Sequence, residues 1–110
     1  MFDSLQLESM IELCDVNDLE VGEMRGFVLP NYPPIALYNV EGEFYCTDDT
    51  CTHGAALLTD GELDGQDVIC PFHDGSFNVC SGKASSSPCI IPLKTHRIEV
   101  VGGKVMVELK

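Results

Sequence analysis

Cys51-Thr52-His53-Gly54 and, with 16 residues between His53 and Cys70, Cys70-Pro71-Phe72-His73 are the stretches on which the reading of this 110-residue chain turns. Each sets one thiol and one imidazole within a single short motif. A structural zinc finger usually groups two cysteines in one knuckle and two histidines in another, whereas here both motifs are mixed. The surrounding sequence, Asp48 to Ser87, is rich in Gly, Asp, Ser and Thr and could not pack throughout as regular strands. Ligand bonds to a metal can order backbone that hydrophobic burial cannot. The pattern therefore predicts a metal centre held from two loops by Cys51, His53, Cys70 and His73.

Outward from these motifs the apolar residues fall in short β-like runs bounded by Gly, Pro and Asn: Met10 to Leu13, Gly26 to Leu29, Ile35 to Val40, Phe44 to Thr47, Val68 to Cys70, Ile90 to Leu93, Ile98 to Val101 and Lys104 to Leu109. Glu41-Gly42 and Gly102-Gly103 are hairpin signals, because glycine accepts the positive φ of tight turns. Asp15 to Glu23 holds room for one capped helical turn, with Asp15 or Asn17 as the cap. No long helical stripe is present. The expected fold is an all-β antiparallel sandwich forming one domain over residues 1–110, with a loop-rich metal-binding subdomain of about 46–87 inserted in it.

A formal charge of -12 repels phosphate backbones and anionic bilayers, so neither nucleic acid nor a membrane surface is expected as a partner. The same field speeds encounter with a basic patch on another protein. Met1 to Met10 does not read as a secretory leader and no run approaches a membrane span, which favours a cytoplasmic, monomeric protein whose six cysteines are reduced. No Ser-His-Asp set, phosphate-binding loop or dinucleotide motif appears. With two of three histidines committed, no two-histidine, one-carboxylate iron site is left over, so electron transfer without catalysis is expected.

Mixed cysteine and histidine loops suit a two-iron cluster with unlike irons, in which one iron takes both thiolates and the other both imidazoles. A four-ligand zinc site in a binding module is the alternative from the same residues. Cys51 through Gly54, with Cys70 through Phe77, resembles the cluster motif of the Rieske family, and the whole chain, including Ile91 to Leu93, is similar to the ferredoxins of aromatic-ring-hydroxylating dioxygenase systems. That resemblance implies one [2Fe-2S] cluster, an NADH-dependent flavoprotein reductase as donor and a terminal oxygenase as acceptor. A small Rieske-like subunit of a larger reductase, such as assimilatory nitrite reductase, is the other reading.

The high-potential branch of that family braces its loops with a disulfide at positions corresponding to Ala56 and Phe72, and carries hydroxyl donors where this chain has Gly75 and Phe77. Their loss implies a low potential, because such donors stabilise the more negative reduced cluster. Ser76, one position off, is not expected to replace them. By the same resemblance, Ser85-Ser86-Ser87-Pro88 forms a loop over a third side of the cluster. Phe72 is expected to shield the centre. Cys14, Cys46, Cys80 and Cys89 read as small buried apolar residues, with a disulfide from Cys46 to Cys80 or Cys89 left open. His96 reads as a surface or strand-edge residue. Glu62, Asp64 and Asp67 form either an acidic docking face or a solvated hairpin rim.

Overall fold

The computed structural model describes residues 10–52, 54, 56–72 and 75–109. Its organising element is strand β3, Ile35–Val40, buried at every position. Successive side chains of a strand point to opposite faces, so a strand buried at every position must divide two cores. Ile35 and Leu37 enter one core with Cys14, Leu19, Cys46, Val105 and Val107. Ala36, Tyr38 and Val40 enter the other with Leu58, Val68, Phe77, Val79 and the cysteines Cys51, Cys70 and Cys89.

Two antiparallel sheets supply these cores. In chain order the strands are β1 Ile11–Asp15, β2 Met24–Phe27, β3, β4 Glu43–Asp48, β5 Glu62–Asp64, β6 Asp67–Ile69, β7 Ser76–Asn78, β8 Ala84–Ser86, β9 Thr95–Val101 and β10 Lys104–Glu108. The larger sheet has the order β1-β10-β9-β4-β3-β2, and the smaller β5-β6-β7-β8. The smaller sheet lies in sequence between β4 and β9, which themselves pair through Cys46 with His96 and Thr47 with Thr95. The loop-bearing segment thus leaves and rejoins the larger sheet at adjacent strands.

Both hairpin signals are realised as turns with two left-handed residues, Glu41 and Gly42 (φ 54° and 93°) and Gly102 and Gly103 (φ 57° and 79°). This geometry matches the twist of the flanking strands. Glu41 accepts a conformation unfavourable to a residue with a side chain, and the Gly42 N–H is taken up by Asn39 Oδ1 at 2.9 Å. The expected helical turn is a 3-10 turn, Val16–Asp18, behind Asp15, whose N–H donates to the Asp18 carboxylate at 3.0 Å.

One expected strand is absent. Ile90 to Leu93 forms no strand: Pro88 and Pro92 each lack the N–H a ladder needs, and Ile90 and Ile91 are exposed instead. Between Asp48 and Ser87 the chain is not strand throughout, as expected, but its loops are punctuated by four strands of three residues each, β5 to β8. Ser76-Phe77-Asn78 is ordered by one buried phenylalanine paired with Val68, and so short an alternation hardly registers in sequence. Among the described residues no helix is long and apolar enough to cross a membrane.

Candidate metal centre

The two motifs occupy loops of matched construction. Thr50 bridges Leu57, and the next residue, Cys51, donates its N–H to the Ala56 carbonyl at 2.9 Å. Ile69 pairs with Ser76, and the next residue, Cys70, donates its N–H to the Gly75 carbonyl at 2.7 Å. Each cysteine therefore opens a six-residue loop whose ends are tied by an antiparallel pair and a second backbone bond. Cys51 and Cys70 are 2% and 0% exposed, and neither is in a disulfide. Leu58, Val68 and Phe77 keep water from them.

His53 and His73 fall within these two loops in sequence and lie outside the described residues. Among the described residues, no three His, Cys, Asp or Glu side chains form a group able to hold a metal ion. A metal site that included Cys51 and Cys70 would need ligands outside the described residues.

A third segment closes on the pair. After β8 the chain runs through Pro88 to Cys89, which is 3% exposed and within hydrogen-bond reach of the Cys51 sulfur. Burial, with Cys51 and Cys70 nearby, pushes the Cys89 thiol up to about 11. Thr52 Oγ donates to the Ile91 carbonyl at 2.6 Å, tying the first loop to this segment. The expected polar loop is half strand, since Ser85 and Ser86 belong to β8. The Ser76 hydroxyl is committed to them, at 2.7 Å from Ser85 Oγ and 2.9 Å from Ser86 Oγ.

Asp49, two residues before Cys51, anchors the base of the first loop. It is buried, and its two oxygens accept from the Thr59 N–H at 2.9 Å and the Thr59 hydroxyl at 2.7 Å. A Cβ on Gly26 would stand 2.9 Å from Asp49 Oδ2, so β2 passes over this pair only as glycine. Burial raises the Asp49 carboxyl above its usual range, while the Thr59 donors pull it down. The folded state then holds that proton to higher pH than the unfolded chain. Asp49 favours the fold below its unfolded value, and that contribution is lost as pH rises through the folded one. Asp49→Ala is expected to cost about 1–3 kcal/mol in urea denaturation, because it strands a buried donor, and Asp49→Asn less.

The remaining sequence-predicted residues sort by position. His96 is not at the surface: it is buried in β9, with Nε2 2.8 Å from Asp48 Oδ1, because β4 covers it. Asp64 and Asp67 lie at the turn end of the β5–β6 hairpin, while Glu62 pairs with Ile69, next to Cys70. Only Glu62 flanks the loops. None of the six cysteines is in a disulfide, which removes that option, and Cys80 alone among them is not fully buried. Phe72 is 69% exposed, so it is no core phenylalanine. With Ile90 and Ile91, 80% and 58% exposed, it leaves apolar surface on segments adjoining Cys70 and Cys89.

Two antiparallel sheets presenting paired cysteine-led loops define a small β iron–sulfur protein, and residues 9–97 match the Rieske [2Fe-2S] domain; the chain belongs to that family. Among curated relatives it is 45% identical to ferredoxin CarAc of Metapseudomonas resinovorans, over 88% of this chain and 91% of that one. It is 41% identical to the ferredoxin component of the naphthalene 1,2-dioxygenase/salicylate 5-hydroxylase systems of a Ralstonia species, over 94% and 98%. A chain of the solved complex of reduced oxygenase and oxidized ferredoxin in carbazole 1,9a-dioxygenase superimposes with a TM-score of 0.88 at 44% identity, covering 90% of this chain and 92% of that one. The ferredoxin of Sphingomonas yanoikuyae B1 does so with a TM-score of 0.87 at 42% identity, covering 91% and 98%.

This protein is accordingly an electron carrier rather than a catalyst, with a single Rieske [2Fe-2S] cluster. The donor set fits that group. Cys51 and Cys70 are two buried cysteines outside any disulfide, on separate loops, which would suit one iron of the cluster.

Proposed function

We propose that Cys51 and Cys70 hold one iron and His53 and His73 the other, in a subdomain of about 46–87 inserted in a single domain spanning residues 1–110. The matched loops opened by two buried cysteines carry this reading. When bound, the cluster accepts and releases one electron at a time. The chain carries that electron from an NADH-dependent flavoprotein reductase to a terminal aromatic-ring-hydroxylating dioxygenase, as a cytoplasmic monomer.

Its own residues serve the transfer in two ways. The apolar core behind the loops excludes water from the thiolates, so the charge change meets little solvent rearrangement on that side. Phe72, Ile90 and Ile91 give a partner an apolar surface to cover, and the charge of -12 steers basic surfaces toward the molecule. The test mixes the purified chain with such a reductase and oxygenase and follows substrate-dependent NADH oxidation. Stimulation in proportion to added chain supports the reading; flow unchanged by the chain contradicts it.

The potential follows from charge. Two ferric ions, two sulfides and two thiolates sum to zero, so reduction leaves a net negative cluster in an acidic protein. Redox titration is expected to find a midpoint below zero, on the order of -150 mV, nearly constant between about pH 6 and 8. A midpoint above about +100 mV would overturn this.

A further inference from the structure

Cys89 is not one of the four proposed ligands, yet its side chain lies beside two of them, Cys51 and Cys70. It shares one core with Cys51 and Cys70, and its thiol is the hydrogen-bond neighbour of the Cys51 sulfur. Gly75 makes the approach possible: a Cβ there would stand 2.5 Å from Cys89 Sγ and 3.0 Å from Pro88 Cδ. The space left by the missing side chain is where the thiol sits. The segment is held in place independently by Cys89 N–H to the Ser86 carbonyl, 3.2 Å, and by Thr52 Oγ to the Ile91 carbonyl, 2.6 Å.

We infer that Cys89 is a positioning residue for electron transfer, its S–H donating to the Cys51 sulfur and stabilising the reduced state of the cluster. A thiol is a weak donor, but its acceptor here is a sulfur whose negative charge grows on reduction, and both cysteines are buried from water. A bond that strengthens with the added electron raises the potential. The inference rests on Cys51 being a cluster ligand.

Three variants, Cys89→Ala, Cys89→Ser and Cys51→Ser, test it together. Cys89→Ala is expected to keep the wild-type iron and sulfide content while its midpoint moves to a more negative value. The reduced protein should also lose one exchangeable-proton coupling in electron-nuclear double resonance after transfer to deuterated buffer. Cys89→Ser restores a donor of similar size and is expected to recover part of the shift and an exchangeable coupling. If Cys89→Ala keeps its cluster but neither the midpoint nor the couplings change, the inference fails and the ligand assignment stands. If Cys89→Ala loses the cluster while Cys51→Ser keeps it, the ligand assignment fails instead. Should alanine impair folding, the serine variant's proton coupling against wild type decides the matter.

Discussion

Replacing Cys70 with alanine is expected to yield a folded, colourless protein whose iron content falls from about two atoms per chain to near zero. Cys70 is wholly buried and opens the β6–β7 loop, with its N–H already bound to the Gly75 carbonyl. The backbone bond places the loop whatever the side chain, and the proposed role of the buried thiolate is to bind iron. Alanine introduces no polar atom into the core around Val68 and Phe77, so the loss belongs to ligation and not to folding. Iron and acid-labile sulfide assays, with circular dichroism for the fold, check this. Full iron content in Cys70→Ala would remove Cys70 from the ligand set.

Gly61→Ala is expected to be the most damaging single methyl in the described chain. Gly61 joins the 3-10 turn Leu58–Asp60 to β5, and a Cβ there would stand 1.9 Å from the Ile69 carbonyl oxygen, 3.1 Å from the Ile69 carbonyl carbon and 3.2 Å from the Leu58 oxygen. All three are backbone atoms, so no side chain can swing aside. Relief requires β5 to leave β6, which breaks the Glu62–Ile69 pair immediately before Cys70. A loss of about 3–5 kcal/mol is expected, a large share of an ordinary domain's stability. Urea denaturation of the holoprotein measures it. A shift within about 0.5 kcal/mol would mean that the strand entry accommodates a side chain.

Much of this was legible in the sequence because two signals were local. The Glu41-Gly42 and Gly102-Gly103 turns announced their hairpins through their glycines, and β3 announced itself by a run apolar at every position but Asn39. The paired motifs named both cysteines, and the structure places them on loops of one design. What escaped was decided by contacts between distant segments. β7 and β8 are polar in sequence and held by Phe77 and by hydroxyls shared among Ser76, Ser85 and Ser86. His96 is buried only because β4 lies across it. Cys89 had the signature of any buried cysteine, and Gly75 that of a donor lost. Only their juxtaposition shows that the glycine makes room for a thiol.

The central claim is a two-iron cluster bound by two thiolates and two imidazoles, and electron paramagnetic resonance of the dithionite-reduced protein with nitrogen hyperfine spectroscopy tests it most directly. The account predicts one spin-half signal per chain, coupled to two inequivalent imidazole nitrogens, with one coupling lost in each of His53→Cys and His73→Cys variants that retain iron. A colourless protein carrying stoichiometric zinc, or a cluster signal with no nitrogen coupling, would contradict it.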